Sequence, residues 1–297
     1  MKLKIGTRRS KLALWQSNLV AKKLNALDVQ TELVEIESFG DKEQDLPLHK
    51  LGDKGVFTKA LDEALLDGKI DLAVHSLKDV PTIFEDGLQL NAVLERANPI
   101  DVLVEPLNYK KGNTSRTIAT GSIRRSAFWK NKYPEDEVVD LRGNVPTRLN
   151  KVDTLGWDGA IFAHAGLERL GLGERISKEL PWMISAPSQG AIGIVSKEDF
   201  IYSEIVSVLN DDNTRICVDI ERAFLRTLDA GCSSPVGALA EVKDGKLFFK
   251  GAVLSVDGKQ RVDIKEEIEL RNANETLGAE FAKKVINEGA ADLLNGN

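Results

Sequence analysis

The segment "TIATGSIRRSAFWKNKY" (residues 117–133) decides the predicted fold, because a short apolar strand is followed by a glycine turn and then a helix. The same order recurs in "EVVDLRGNVPTRLNKV" (137–152) and in "WDGAIFAHAGLERLGL" (157–172). Strands that alternate with helices indicate a mainly parallel α/β sheet covered on both faces. This block therefore predicts one α/β lobe.

The N-terminal part shows a similar alternation. "KLKIGT" (2–7) predicts a strand, "LALWQSNLVAKKLNAL" (12–27) an amphipathic helix and "QTELVEIES" (30–38) a second strand. "FTKALDEALLDGK" (57–69) predicts another helix, and "IDLAVHSL" (70–77) a short buried strand. A second α/β lobe is therefore expected here.

The apolar segment "SAPSQGAIGIVS" (185–196) predicts an extended stretch that returns the chain to the first lobe. We therefore expect a discontinuous first domain, residues 1–94 plus 189–211. The second domain should cover residues 95–188 and the third residues 212–297, which carry a cysteine loop.

The C-terminal third has a different pattern. A long helix is predicted over residues 213–231, with Asn213 or Thr214 near its cap. Residues 236–270 contain three strand patterns joined by two Asp-Gly turns, and residues 274–294 predict a closing helix. The pattern indicates an α+β domain with a three-stranded antiparallel sheet.

The composition excludes several classes of protein. The 297 residues are 42% hydrophobic and 29% charged, and the net charge of −6 argues against general nucleic-acid binding. No apolar run reaches the roughly 20 residues that span a bilayer, and the N-terminus lacks a signal-peptide pattern. Two cysteines and three histidines, without metal-ligand spacing, predict a cytoplasmic protein with no metal site.

The two cysteines have different surroundings. Cys217 lies on the patterned helix, which predicts a buried structural thiol. Cys232 follows Gly231 and precedes Ser-Ser-Pro, so it lies in a loop of small residues where a thiol can be reached. Because no histidine adjoins Cys232, the sequence favours a thiol used once as an anchor over a protease-like nucleophile. A semi-exposed thiol with no role is the alternative.

Arginine recurs just after predicted strands, where an open α/β sheet binds its ligands. A single arginine there is better explained as a solvated surface charge. Several together predict a polyanionic small ligand, since a guanidinium binds carboxylates with two parallel hydrogen bonds. The six arginines are Arg8, Arg124, Arg125, Arg142, Arg148 and Arg169.

"HSLKDVP" (75–81) places Lys78 and Asp79 together at a strand end. The pair is either a site for proton exchange with a ligand or an ordinary surface ion pair. His75 is predicted to be packed and hydrogen-bonded. The charged, glycine-rich segment 40–55 predicts a surface loop, either a solvated linker or a lid.

Seven motifs, in order, resemble the porphobilinogen deaminase (hydroxymethylbilane synthase) family between residue 5 and about residue 237. Beyond that point the agreement is one of pattern only. The motifs are "GTRRSKLALWQ" (6–16), "HSLKDVP" (75–81), "GSIRR" (121–125), "LRGNVPTRL" (141–149), "AGLERLG" (165–171), "SQGAIGI" (188–194) and "ERAFLRTLDAGCSSPVG" (221–237).

This resemblance implies a fold, a reaction and a cofactor. The first two domains are expected to look like the lobes of a periplasmic binding protein. The reaction is a stepwise head-to-tail condensation of four porphobilinogen molecules, with loss of ammonia, to give hydroxymethylbilane. The implied cofactor is a dipyrromethane held through a thioether to Cys232. The implied enzyme is a monomer that hands its product to a downstream synthase.

The resemblance also implies roles for individual residues. Asp79 matches the essential carboxylate, which protonates the departing amine and stabilises the resulting cation. The cofactor ligands are implied to be Cys232, Lys78, Thr120, Ser122, Arg124, Arg125 and Arg148. The substrate ligands are implied to be Arg8, Ser10, Gln16, Arg142 and Arg169. The implied lid residues are Lys50, Lys54 and Phe57.

Four positions depart from the family pattern: Lys11, Ile100, Gly121 and Ser188. None of them is Asp79, Cys232 or one of the six arginines, so activity is still expected. Two other functions fit parts of the sequence. A non-catalytic, two-lobed protein that binds small anions would not need Cys232, and a cysteine-dependent transferase or hydrolase would have a reactive thiol there.

Overall fold

The computed structural model of the chain describes residues 2–37, 58–109, 115–230 and 234–295. Within these ranges the strands form three sheets. The strands are β1 (Lys2–Thr7), β2 (Gln30–Glu35), β3 (Leu72–Ser76), β4 (Leu88–Val93), β5 (Asp101–Val104), β6 (Thr117–Ala119), β7 (Glu137–Val139), β8 (Gly159–Ala163), β9 (Lys178–Glu179), β10 (Ile192–Lys197), β11 (Val236–Lys243), β12 (Lys246–Leu254) and β13 (Arg261–Glu269).

Helices cover the sheets. The α-helices are α1 (Lys11–Asn25), α2 (Lys59–Leu66), α3 (Ile123–Lys132), α4 (Val145–Thr154), α5 (His164–Arg169), α6 (Ser203–Ser207), α7 (Asp212–Thr227), α8 (Thr276–Val285) and α9 (Ala291–Asn295). A 3-10 turn, Leu77–Asp79, directly follows β3. None of the described helices is long and apolar enough to cross a membrane.

The first two sheets have related topologies. Their orders are β2-β1-β3-β10-β4 and β7-β6-β8-β5-β9. In the first sheet only β10 runs against the other strands, and in the second only β5 does. Both sheets are therefore mixed and mainly parallel. The predicted fold class is confirmed, and the segment at 192–197 does return to the first sheet.

Alternation along the strands places apolar side chains on both faces of the first sheet. Ile5 and Ile194 pack with α1 on one face, and Ala73 and Val195 pack with α2 on the other. Because both faces are covered, polar side chains of this sheet collect at the strand ends. This arrangement fixes where a ligand site can form.

The third sheet is antiparallel, in the order β11-β12-β13. Its two turns contain Asp244-Gly245 and Asp257-Gly258, as predicted, with positive φ at both glycines. The long helix before this sheet begins earlier than predicted. Its N-cap is Asp211, whose carboxylate accepts from the Thr214 backbone N–H at 2.7 Å. The prediction of a cap near Asn213 or Thr214 is thus wrong by two or three residues.

Candidate active site

Four predicted residues line one pocket in the first sheet, namely Arg8, Ser10, Gln16 and Asp79. The pocket forms because β1 and β3 are parallel neighbours, so the residues after each strand meet at the same edge. Ser10 caps α1 by accepting from the Ala13 backbone N–H at 3.2 Å. The Gln16 amide donates to Ser76 Oγ at 2.7 Å and ties α1 to the end of β3.

Asp79 is exposed at the end of the 3-10 turn. No described residue forms an ion pair or a side-chain hydrogen bond with its carboxylate. Its neighbour Lys78 donates from Nζ to Gln189 Oε1 at 3.3 Å, across to the segment that precedes β10. The two consecutive side chains therefore serve different contacts, and the carboxylate is available to a ligand.

Lys78 is close to other cations. Burial, followed by the charge of Arg125, lowers the pKa of Lys78 to about 8, and Asp79 and Asp101 offset this only in part. The Lys78 ammonium is therefore easier to deprotonate than a solvated lysine. A bound anion would reverse this shift, since an opposite charge favours the protonated form.

Asp101 lies at the centre of a buried set of contacts that we call the Asp101 network, comprising Asp101, Arg124, Arg125 and Gln189. Arg124 Nη1 lies 2.7 Å from Asp101 Oδ2, and Arg125 Nη2 lies 2.8 Å from Oδ1. Gln189 Nε2 donates to Oδ1 at 2.9 Å. Asp101 is fully buried, which alone would raise its pKa, but the two guanidiniums outweigh burial and hold that pKa well below its usual range.

The arginines of this network also donate to backbone carbonyls. Arg124 Nη1 donates to Ile184 O at 2.7 Å, and Arg125 Nη1 donates to Ile161 O at 3.0 Å. Both arginines are more than nine-tenths buried. These contacts fix the two guanidiniums in place, but they do not exhaust the five N–H donors that each carries.

Arg148 and Arg142 lie beside this network on the second lobe. Arg148 Nε donates to Gly143 O at 2.6 Å, and Arg142 Nε lies 3.3 Å from Asp140 Oδ2. Burial, then the charges of Arg125 and Arg142, lowers the pKa of Arg148 to about 10, and Asp79 offsets part of this. We call Asp79, Lys78 and Arg148 the Asp79 cluster, because its cations lack an acidic ion-pair partner among the described residues.

Arg169 is held at a third point of the same region. Its Nη2 donates to Gly190 O at 2.6 Å, and its Cζ lies 5.7 Å from the ring of Trp15 on α1. Burial lowers the pKa of Arg169 to about 10. Arg169 belongs to the second lobe and Trp15 to the first, so this contact crosses between the lobes.

Thr120 and Ser122 shape the turn before α3. Thr120 Oγ1 accepts from the Ser122 backbone N–H at 3.2 Å, and Ser122 Oγ caps α3 by accepting from the Arg125 N–H at 3.4 Å. Their hydroxyls therefore orient the helix that carries Arg124 and Arg125. Cys232, Lys50, Lys54 and Phe57 lie outside the described residues.

His75 is buried as predicted and lines the same pocket as Asp79. The predicted hydrogen bond is not found at its Nε2, which has no partner among the described residues. Burial, with a smaller effect from Arg8, lowers the pKa of His75 to about 4, so the imidazole is neutral. The prediction for Cys217 is confirmed: the thiol is buried, and burial raises its pKa to about 12.

The sequence analysis missed Asp101. The signal was an acid at the start of the apolar strand "DVLV", because a charge inside a fully buried strand must be paired. The structure bears on two of the departures in opposite ways. A Cβ at Gly121 would lie 2.6 Å from Leu141 O, so glycine fits there without strain. Ser188 adopts a φ of 62°, a left-handed conformation that favours glycine.

Comparisons with known proteins cover nearly the whole chain. Residues 3–201 match the model of the porphobilinogen deaminase dipyrromethane cofactor-binding domain, and residues 215–287 match that of the porphobilinogen deaminase C-terminal domain. The chain belongs to the porphobilinogen deaminase family. It is therefore a transferase that uses a dipyrromethane cofactor, and the function predicted from the motifs is confirmed; the anion-binding alternative is not favoured.

Relatives named porphobilinogen deaminase show the same extent of similarity. The protein from Chlorobium phaeobacteroides (strain BS1) is 42% identical over 99% of this chain and 97% of its own length. The one from Moorella thermoacetica is 40% identical over 99% of this chain and 96% of its own. The match thus includes all three sheets.

Solved structures give more distant likenesses. The methionine-binding protein MetQ has a TM-score of 0.45 at 14% identity, over 70% of this chain and 89% of its own. Lipoprotein Tp32 from Treponema pallidum has a TM-score of 0.43 at 11% identity, over 69% of this chain and 88% of its own.

Proposed function

We propose that Asp79 is the catalytic carboxylate and that the basic side chains around it bind the carboxylates of cofactor and substrate. The observation that carries this proposal is the charge balance of the Asp79 cluster. Lys78 and Arg148 are both half-buried and have lowered pKa values, and the charge of the exposed Asp79 offsets that lowering only in part. Cations in this state are stabilised by an anionic ligand.

The donor set fits a dipyrromethane, because each of its two rings carries an acetate and a propionate. When bound, the cofactor supplies the pyrrole carbon to which the first substrate is joined. The side chains that we propose hold it are Lys78, Thr120, Ser122, Arg124, Arg125 and Arg148. The Asp101 network keeps two of these arginines in fixed positions, so little order is lost when the carboxylates bind. We assign the covalent attachment to Cys232.

Asp79 can act on the amine of porphobilinogen. The carbon–nitrogen bond breaks with its electron pair on nitrogen, and a proton donated by the Asp79 carboxyl lets the nitrogen leave as ammonia. The carboxylate that remains stabilises the cation left on the substrate. After the new carbon–carbon bond forms, the same carboxylate can accept the proton released from the pyrrole carbon. One residue thus gives and recovers one proton per cycle.

The remaining assignments follow the same charge logic. Incoming substrate is proposed to meet the side chains of Arg8, Ser10, Gln16, Arg142 and Arg169, and the lid to include Lys50, Lys54 and Phe57. Three separate sheets support domains at 1–94 plus 189–211, 95–188 and 212–297. We further propose a cytoplasmic monomer that hands its product to a downstream synthase.

The test is the intact mass of the denatured protein, compared with Cys232→Ser and with Cys217→Ser as the matched control. The parent and Cys217→Ser should carry the extra mass of one dipyrromethane, and Cys232→Ser should lack it. Incubation with porphobilinogen should restore the adduct to any parent chain that lacks it. An adduct that survives in Cys232→Ser would refute the assignment of the anchor.

A further inference from the structure

Helix α7 connects the C-terminal sheet to the turn that carries Asp79. Its residue Arg222 is 6% exposed and donates from Nη1 to Val80 O at 3.1 Å and from Nη2 to Pro81 O at 2.5 Å. These are the first two carbonyls after Asp79 in the chain. The guanidinium therefore holds the exit of the 3-10 turn at two points.

The start of the turn is held separately, because the Leu77 backbone N–H donates to Ala191 O at 3.0 Å and the Leu77 side chain is fully buried. Within it, the Val80 backbone N–H donates to Leu77 O at 3.2 Å. Among the described residues, no other side chain donates to the carbonyls of Val80 and Pro81. The Arg222 Cζ also lies 5.1 Å from the ring of Phe84, which follows the turn. The end of the turn, directly after Asp79, is thus held by a side chain from another part of the fold.

The same helix leads toward the proposed anchor. α7 ends at Thr227, five residues before Cys232. The preceding residue Glu221 binds Arg96 and the Ser188 N–H, both in the segments that cross between the lobes. Consecutive residues of α7 therefore contact the crossing segments and the Asp79 turn.

We propose that Arg222 is a positioning residue for the condensation reaction. It fixes the Asp79 carboxylate relative to the domain that anchors the growing chain, so that each new reacting end meets the carboxylate at the same place. This inference rests on the assignment of Asp79 made above. A planar guanidinium suits the role because it donates to two adjacent carbonyls at once, which an ammonium cannot do with the same geometry.

A contact that only holds α7 against the first lobe would have a different role from one that positions Asp79. Another arginine of α7 serves as the matched control for that role. Arg215 on the same helix donates from Nη1 to Leu90 O at 3.0 Å, on β4 rather than on the Asp79 turn. Arg215→Gln removes a hydrogen bond from a guanidinium of α7 to a backbone carbonyl of the first lobe, which is the same kind of contact that Arg222 makes. It leaves the contacts of Arg222 in place.

The experiment measures the rate of the first substrate addition to the holoenzyme, by quenching and intact mass. The variants are Arg222→Gln, Arg222→Lys and Arg215→Gln, each alone and combined with Asp79→Asn. Arg222→Gln should lower kcat about 10- to 100-fold with KM changed less than about 2-fold, since a shift of about 1 Å at a reacting group costs up to this factor. The kcat of Arg222→Lys should lie between those of Arg222→Gln and the parent. The kcat of Arg215→Gln should stay within about 2-fold of that of the parent.

The combined variants separate positioning from stability. If Arg222 acts through Asp79, adding Arg222→Gln to Asp79→Asn should change the residual rate less than about 2-fold. Equal slowing by Arg222→Gln and Arg215→Gln, or full slowing in the Asp79→Asn background, would overturn the proposal. Should Arg222→Gln yield no folded holoenzyme, Arg222→Lys decides: a rate several-fold below the parent at the parent's Tm supports positioning, and the parent's rate refutes it.

Failure of the two assignments can be told apart. Near-normal addition by Asp79→Asn would refute the role of Asp79 and with it the role of Arg222. A slow Asp79→Asn beside a normal Arg222→Gln would refute the role of Arg222 alone.

Discussion

Asp79 and Asp101 lie in the same cationic region and differ in burial and pairing. Asp101 is fully buried between Arg124 and Arg125, whereas Asp79 is exposed and has no ion-pair partner among the described residues. Only Asp79 can change its partner during a reaction without leaving a buried guanidinium unpaired.

The cations around them differ in the same way. Arg124 and Arg125 have a buried acid and backbone carbonyls as partners. Arg148 has one backbone acceptor, Gly143 O, and lies among like charges. Under the roles proposed above, the Asp101 network supplies rigidity and the Asp79 cluster supplies the chemistry. Substitution of Asp79 should therefore affect activity, and substitution of Asp101 should affect stability.

Asp79→Asn is the sharpest test of the cluster. The amide cannot donate or accept the proton of the departing amine, so kcat should fall by roughly 10²- to 10⁴-fold. Tm should change little, because the side chain is exposed and lacks a partner among the described residues. Steady-state assays and thermal unfolding of the holoenzyme measure both. A large drop in Tm would place Asp79 with the structural groups instead.

Asp101→Asn should have the opposite profile. A neutral amide leaves two buried guanidiniums without a counter-charge, and breaking such a pair costs about 3–5 kcal/mol of unfolding free energy. Urea unfolding of the variant and the parent gives this difference. Asp140→Asn, which removes an exposed partner of Arg142, is the control and should cost less than about 1 kcal/mol. Equal losses would contradict the contrast between network and cluster.

Lys78 gives the cluster a pH signature in a Cys232→Ser background that holds no cofactor. Its folded pKa of about 8 lies below the ordinary value of 10.5, so the unfolded chain binds more protons between these values. Stability should therefore rise with pH across this window. Between pH 7 and pH 10, the unfolding free energy of Cys232→Ser should rise by on the order of 1–3 kcal/mol more than that of Cys232→Ser with Lys78→Met. Urea unfolding at several pH values tests this, and a constant difference would refute it.

Ser188→Gly should have the smallest effect of these substitutions. Ser188 directly precedes Gln189 of the Asp101 network. The φ of 62° strains a serine, and the buried Ser188 Oγ has no partner among the described residues. Glycine should raise the unfolding free energy by about 1 kcal/mol, with kcat unchanged. Ser185→Gly, at a buried serine whose Oγ donates to Pro99 O, is the control and should lower it. A lower unfolding free energy for Ser188→Gly would contradict the prediction that the φ of Ser188 destabilises the fold.

Local sequence patterns were enough to predict the α/β lobes, the antiparallel third sheet and the family. Strand and helix periodicities are local, and the Asp-Gly turns have strong backbone preferences, so these elements could be predicted without contacts. The placement of Arg8 and Asp79 at one sheet edge also followed, because parallel strands end together. Ser10 and Gln16 were implied by the family resemblance. The helix cap at Asp211 was missed, since several polar residues near a helix start can serve as its cap.

The pairing of the charged side chains could not be predicted from the sequence. Asp101 is 24 residues from Arg125 and 88 from Gln189 in the chain, and no local pattern joins them. Arg222 reaches Val80 across 142 residues. Whether a charged side chain is buried with a partner, or left for a ligand, depends on which distant segments the fold brings against it. That choice is made by burial and desolvation, which exist only once the chain has folded.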